Sequence, residues 1–445
     1  MVSQREVVNV ASPLDSARIL KFYRPLALSW LLMAIESPIS LAIISRRPFA
    51  EAATAAFLVM MSLALWIESP VIDLLSTSTT LSKDRQSFLA IRRFVWSLMG
   101  LVTLIHFLVV LTPVYGVVSQ ILGLPYEVAK TARPGLAALL LWSACIGWRR
   151  FLQGVLIRNG ETRRIGQGTW VRLITMGTVG LTLHLFSKLD GVLLVAIALM
   201  ASVAAEALFI EHASRPVVQR VLETDGPETK LRPQDLIRFH WPLTATTLLV
   251  LMGNPVLSFA LARAPSPTAS MAAWQLAFSL LWLTRTIVFA LPEVVISLRA
   301  NGRFDAVLRR FSIGVGLGAS GALLLLHFTT LDGWFLRKVL DAEAHLVEPA
   351  RLALLVCAPL PLIGAIQSYY RGILTSEHRT RARLSAIVVG SVVLVLSLGI
   401  GIAGRWPGVV NASVSLSASL AAELTVLWVA GRPLAAGSGL EPETS

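Results

Sequence analysis

The sequence predicts an all-α polytopic membrane protein: twelve transmembrane helices in two parallel six-helix repeats, related by a pseudo-two-fold axis along the membrane normal. Three observations predict it. The 445 residues are 55% hydrophobic and only 15% charged, with a mean hydropathy of +0.69, whereas a soluble chain carries about 25% charge. The apolar residues come in blocks of about twenty, the length that crosses a bilayer core at 1.5 Å rise per residue. The first of those blocks also returns in the second half of the chain.

That block, FYRPLALSWLLMAIESPISLAIISRR, starts at Phe22, and FHWPLTATTLLVLMGNPVLSFALAR starts at Phe239, 217 residues later (239 − 22). Pro25 matches Pro242, Pro38 matches Pro255 and Arg46 matches Arg263 at the same offset. Arg92-Arg93-Phe94 returns as Arg309-Arg310-Phe311, Ala204-Ala205-Glu206 as Ala421-Ala422-Glu423, and Arg215-Pro216 as Arg432-Pro433. Gly154 matches Gly372 at 218, so small indels compensate. An even number of spans per repeat inserts both halves the same way round, the arrangement of parallel repeats about an axis normal to the membrane.

The elements follow in order. Residues 1–21 are a polar tail with a helical lead-in. Span 1 covers 25–45 and carries one charge, Glu36, near its centre; a tight turn leads to span 2 at 53–75. A basic loop with Lys83, Arg85, Arg92 and Arg93 precedes span 3 at 94–114, and Gly123-Leu-Pro125 lies in the turn before span 4 at 135–157. Arg149, Arg150, Arg158, Arg163 and Arg164 mark the next cytoplasmic segment, before spans 5 (170–186) and 6 (191–210). Residues 213–238 are polar and turn-rich and read as the linker between an N-terminal lobe at 22–212 and a C-terminal lobe at 239–431. Spans 7 to 12 fall near 240–262, 270–296, 311–329, 350–373, 384–403 and 409–430. The tail 432–445 is short and rich in Gly, Ser and Glu.

The net charge of +13 reflects orientation rather than nucleic-acid binding. Lys and Arg concentrate in one set of alternate loops, with Arg285 read as the only basic residue inside a span; this positive-inside asymmetry puts both termini in the cytoplasm. No basic tail with interleaved aromatics exists to bind nucleic acid. The expected location is the inner (plasma) membrane, with no cleavable signal peptide apparent, and the expected state is a monomer among membrane lipids. Cys145 and Cys357 fall within spans as apolar fillers, without a disulfide or CxxC pattern. Asn411-Ala-Ser is a chance glycosylation match.

Candidate site residues are the charges that hydrocarbon penalises. Glu36 and Glu68 both fall near mid-depth on neighbouring spans, where two close carboxylates suit reversible binding of a proton or sodium ion. The alternative is that they are structural, satisfied by Ser37, Ser69 or a carbonyl freed by Pro38 or Pro70. Pro38, Pro70 and Pro255 remove helical hydrogen bonds and kink their spans, and Asn254 adjoins the last of these. Arg285 is the repeat counterpart of Glu68 (285 − 217 = 68). It is expected to hold an anionic group of the substrate, to pair with Glu68 across the lobes, or to bridge to Glu293. Glu206 and Glu423 match one another and read as structural, bonded to the arginine-rich loops; Asp73 is a weaker candidate, and His106, His184 and His327 read as core residues. Trp30 lies on span 1 towards the interior.

The motif negatives are equally specific. The GxxxxGK[ST] phosphate loop, HExxH and GxSxG are all absent, so neither ATP hydrolysis, a metal centre nor another enzyme activity is indicated, and no cofactor beyond a coupling H+ or Na+ is expected.

On these residues the chain resembles the multidrug/oligosaccharidyl-lipid/polysaccharide (MOP) exporter superfamily, MATE-like in organisation. FYRPLALSWLL and FHWPLTATTLL, each followed by Pro38 or Pro255, look most like the progressive ankylosis branch. RRFLQGVLIRNGETRR and YYRGILTSEHRTRAR are similar to the segments after spans 4 and 10 of the superfamily. The resemblance implies a V-shaped alternating-access carrier in which an acid of span 1, matched here by Glu36, couples transport to protons or sodium; in span 7 Gly253 stands in its place. Ankylosis relatives export anions such as pyrophosphate or citrate, which suits Arg285. The expectation is a secondary active exporter of a small amphiphilic or anionic solute. The alternatives are a flippase for a lipid-linked saccharide and a non-transporting membrane scaffold of the same fold.

Overall fold

The computed structural model describes residues 16–431 except 112, 225–230, 300–303 and 378; the predicted tail at 432–445 and most of the one at 1–21 lie outside them. The first half consists of α1 (Ser16–Ala34), α2 (Glu36–Ile44), α3 (Ala50–Ile72), α4 (Leu74–Leu81), α5 (Arg85–Leu111), α6 (Val114–Leu122), α7 (Tyr126–Ala138), α8 (Trp142–Arg158), α9 (Thr162–Phe186) and α10 (Gly191–Glu223). The second half repeats it as α11 (Pro233–Leu251), α12 (Gly253–Leu261), α13 (Pro267–Thr286), a 3-10 turn (Ile287–Ala290), α14 (Leu291–Leu298), α15 (Asp305–Phe328), α16 (Leu331–Trp334), a π-helical turn (Phe335–Val339), α17 (Ala344–Cys357), α18 (Leu360–Ser376), α19 (Thr380–Ala403) and α20 (Gly408–Ala430). Among the described residues there is no strand.

Proline chemistry sets the breaks. Pro38 has no N–H to bond Ala34, and Pro255 none to bond Leu251; the first span breaks at Ile35 and the seventh at Met252, again 217 apart. Pro70 likewise precedes the α3/α4 break at Asp73. The short helix before span 4 recurs as α16 and its π turn, Val114–Leu122 matching Leu331 to Val339.

Glycine sets the closest packing. A Cβ at Gly154 would sit 2.6 Å from the Leu75 carbonyl oxygen, and one at Gly372 would sit 2.7 Å from Val295 Cβ and 3.2 Å from the Pro292 oxygen. The repeat offset carries Leu75 to Pro292 and Gly154 to Gly372, so both halves press their fourth helix onto their second at the same backbone notch.

The all-α membrane fold stands as expected, and three details differ. Ten described helices are long and apolar enough to cross a membrane, or eleven if α7 and α8, bent by 45°, count as one span. The fifth predicted span exists as α9, but Arg172 and His184 within it leave it too polar to pass on composition. The predicted linker at 213–238 is largely helical, because α10 runs on to Glu223 and α11 starts at Pro233; Asp225 to Lys230 lie outside the described residues. Finally, Arg149 and Arg150 belong to α8 rather than to a loop, and Arg149 is buried. Leu101, Leu104, Ile105 and Leu108 form an exposed apolar stripe along α5, the surface a helix turns to lipid.

Two buried cores join the halves unequally. One runs through the first half and the end of the second half away from the chain termini, including Leu41, Met60, Leu257, Leu261 and Met271. The other occupies the terminal end of the second half, where Val288, Leu291, Val295 and Tyr369 pack with Ile19, Tyr23 and Ala27 of α1. The start of the first span therefore packs on the opposite half.

Candidate functional site

Inside the first half, charges that hydropathy would exclude form one connected network. Arg172 on α9 donates from Nε to Glu36 Oε1 and from Nη2 to Glu36 Oε2, both at 2.5 Å. This is the bidentate guanidinium–carboxylate geometry that gives the strongest ion pairs. The same guanidinium lies 3.8 Å from Glu206 on α10 and 5.8 Å from the centre of the Trp142 ring. Trp142 Nε1 donates to Glu68 on α3. Glu206 accepts from Arg149, and from Gln153 at 3.4 Å. Glu36, Glu68, Arg149, Arg172 and Glu206 are all buried, Glu206 to 1% exposure; a buried charge of this kind persists only when paired and hydrogen-bonded.

The network corrects the view of Arg285 as the only basic residue within the spans. Arg172 belongs to the predicted fifth span itself, and Arg149 to the fourth. Glu36 and Glu68 do share one network, but each carboxylate is engaged by another partner, Arg172 or Trp142. Arg285 on α13 is not connected to it. Among the described residues no ion pair joins Arg285 to Glu68 or to Glu293, and its Nε is buried without a hydrogen-bond partner. Its electrostatic neighbours are Cys357, Arg371 and Glu423 in its own half. Asn254 is half-buried just past the α11/α12 break, outside the network.

Glu206 and Glu423 hold Arg149 and Arg371 respectively. The 218 offset matches Arg149 to Gln367 and Gln153 to Arg371, so arginine and glutamine have exchanged places one helical turn apart. Gln367 donates instead to the Leu420 carbonyl at 2.8 Å.

Contacts between the halves occur in symmetric pairs. At the end carrying the termini, Tyr23 Oη donates to the Ile287 carbonyl at 2.9 Å, and His240 Nε2 meets the Pro70 carbonyl at 2.8 Å. Both donor and acceptor are related by 217 (240 − 23, 287 − 70). At the opposite end Arg46 Nη2 donates to the Val339 carbonyl at 3.0 Å and Arg263 Nη1 to the Leu122 carbonyl at 2.8 Å, again 217 apart in both members. Reciprocal contacts of this form are what a two-fold axis generates. Ser62 and Ser258 Oγ atoms meet at 3.1 Å, and His345 Nε2 lies 2.9 Å from Glu51 Oε2. His240 Nδ1 is 2.8 Å from Thr77 Oγ1. Nothing local along the chain marks Tyr23, His240, Arg172 or Trp142; the available signal is that Gly253 and Gly390 stand at the repeat positions of Glu36 and Arg172.

The helices form a bundle of two equivalent halves that meet each other at both ends. Solved structures agree with this fold. A multidrug resistance MATE family transporter of the MOP superfamily, inward-facing, matches with a TM-score of 0.66 at 14% identity, over 92% of this chain and 96% of its own. The lipid II flippase MurJ in an inward closed conformation matches with a TM-score of 0.70 at 14% identity, covering 92% of this chain and 87% of its own. A MOP superfamily transporter from Pyrococcus furiosus matches at 0.60 and 14% identity, over 95% and 98%. No protein-family model matches the sequence, and no curated protein matches it. The fold is that of the MATE and MurJ structures of the MOP superfamily.

Proposed function

We propose that the protein is a secondary exporter that moves a small amphiphilic or anionic solute across the membrane by alternating access. The observation that carries this reading is the symmetric set of four bonds between the halves, Tyr23 and His240 at one end and Arg46 and Arg263 at the other. Each end is held by a few hydrogen bonds, worth about 0.5–1.5 kcal/mol net apiece, with Arg263 adding one to the Ile121 carbonyl and His240 one to Thr77, so either end can part without unfolding a half. The breaks at Ile35 and Met252 supply matched hinges, since a helix already missing a proline hydrogen bond bends there at low cost.

Coupling is assigned to the buried network. Protonation of Glu36, or a sodium ion bound to it, would release Arg172 towards Glu206, which lies 3.8 Å away; that exchange would alter how α2 packs on α9. Glu68 and Arg285 complete the set of central charges, with Asn254, Pro38, Pro70 and Pro255 at the kinks. The reading places the chain in the inner membrane with both termini cytoplasmic, as a monomer, nearest the progressive ankylosis branch by its first- and seventh-span motifs.

A flippase for a lipid-linked saccharide is the second reading. It is favoured by the likeness in fold to the lipid II flippase MurJ.

The test is uptake of a solute panel into proteoliposomes under imposed proton or sodium gradients, comparing wild type with Glu36→Gln and Arg285→Ala. Gradient-driven uptake that Glu36→Gln abolishes supports the coupling site. Uptake unchanged in both variants rules out these site residues, and no uptake of any solute overturns the exporter reading.

A further inference from the structure

The second half holds a cavity of about 240 Å³ between α14, α18, α19 and the 3-10 turn. Arg371, Arg383, Ser368 and Thr375 line one side; Phe289, with Pro292 and Ile296, forms the apolar side. Arg371 is paired with Glu423. Arg383 donates to Thr375 Oγ1 at 2.9 Å and forms no ion pair among the described residues. Across the cavity stands Glu293, also without an ion pair among the described residues.

We propose that this cavity binds the oxyanion end of an anionic amphiphile, a phosphate or phosphate monoester carried on an apolar chain. The proposal deepens the exporter reading and rests on it for the site's role in transport. The charge balance favours an anion. Two guanidiniums, Arg371 and Arg383, line it against one carboxylate, Glu293, and Arg285 lies within electrostatic reach of Arg371. In the first half, Arg149, Arg150 and Arg172 are matched by Glu36, Glu68 and Glu206. Arginine with two hydroxyls beside it suits a tetrahedral oxyanion, because the planar fork bonds two oxygens at once.

The repeat isolates the feature. At the equivalent positions of the first half, Ser368 becomes Arg150, Thr375 becomes Ile157, Arg383 becomes Ile165 (each at 218) and Glu293 becomes Ser76 (at 217). The lining chemistry is thus peculiar to one half, while the helices around it are shared. The volume is below the roughly 300–1,000 Å³ of a site for a whole drug-sized ligand, which fits a headgroup whose tail leaves over Phe289. That ring packs edge-on against Trp30 of α1, centroids 5.7 Å apart, so one lining residue of the cavity touches the opposite half. A bound headgroup would therefore feel the position of α1.

The experiment is equilibrium binding of radiolabelled dodecyl phosphate to the purified full chain, with variants and competitors. Wild type is expected to bind, Arg383→Gln to weaken binding at least tenfold, and Glu293→Gln to tighten it severalfold by removing the opposing charge. The opposite signs of the two variants guard against a loss that merely reports misfolding, and Ile165→Ala in the first half is expected to change nothing. Competition by inorganic phosphate identifies a soluble anion as the source; competition by phosphatidic acid in nanodiscs identifies a lipid headgroup. Either result supports the site. No binding, binding indifferent to both variants, or competition by neither anion overturns it. Binding without transport of any solute would leave this inference standing and overturn the exporter reading; transport that ignores both variants, with no binding, would do the reverse.

Discussion

Arg172 grips Glu36 through two nitrogens at 2.5 Å, and the second repeat has glycine at both equivalent positions, Gly253 and Gly390. The absence of the pair there has a packing consequence: a Cβ at Gly390 would lie 3.2 Å from Glu423 Cβ and 3.3 Å from the Ser419 carbonyl oxygen, so α19 and α20 close into the space that Arg172 fills in the first half. The two halves share a backbone plan and differ in what occupies its centre.

Breaking this pair from one side leaves an uncompensated buried charge, at a cost of about 3–5 kcal/mol. Arg172→Met alone is expected to lower the thermal unfolding temperature in detergent far more than Arg172→Met combined with Glu36→Gln. Additive losses in the double variant would show that the two side chains do not act together.

The terminal-end bonds predict a graded opening. Tyr23→Phe removes the donor to the Ile287 carbonyl and His240→Phe the donor to Pro70, each lost bond being worth about 0.5–1.5 kcal/mol. Up to roughly tenfold more of the state open at that end is expected from either variant, measured as the labelling rate of a cysteine placed on the terminal half of α3 or α13. His240→Phe also removes the contact with Thr77 and should open that end at least as far as Tyr23→Phe; no effect of either variant would mean that these bonds do not hold that end closed.

At the opposite end, Ser62 and Ser258 bring their hydroxyls to 3.1 Å. A Ser62→Cys, Ser258→Cys pair is expected to form a disulfide under oxidation and to stop transport, with recovery on reduction. Native Cys145 and Cys357 lie elsewhere in the bundle and are unpaired. Full transport by the oxidised protein would show that this end does not open.

The glycine notch gives a stability test. Gly154→Ala places a methyl 2.6 Å from the Leu75 carbonyl oxygen and 2.9 Å from the Thr79 nitrogen, backbone atoms that cannot swing aside, whereas nothing lies within 4 Å of a Cβ at Gly166. Overpacking of this kind costs about 1–3 kcal/mol, so Gly154→Ala should unfold at a distinctly lower temperature and Gly166→Ala at the wild-type temperature. Equal behaviour would remove the notch as a packing constraint.

What was readable along the chain is what local chemistry sets. Block length and apolarity announce spans, Pro38 and Pro255 announce breaks because a missing N–H acts within its own helix, and the 217-residue echo announces two halves. The fifth span was located but misjudged: Arg172 sits inside it, and hydropathy treats a guanidinium as a penalty without knowing that a carboxylate waits 136 residues away.

The tertiary structure alone decided which charges meet. Whether a side chain on one helix faces a neighbour, the other half or lipid depends on the rotation and tilt of packed helices, and neither is encoded in a single helix's composition. That is why Glu36 and Glu68, adjacent in expectation, are held by Arg172 and Trp142; why Arg285 stays with Arg371 and Glu423 in its own half; and why α14 meets α18 and α19 around the cavity of Arg383 and Glu293. The amino-acid order by itself fixed the number and symmetry of the pieces, because those follow from burial and backbone hydrogen bonding within each span, and the assembly of the pieces made the site.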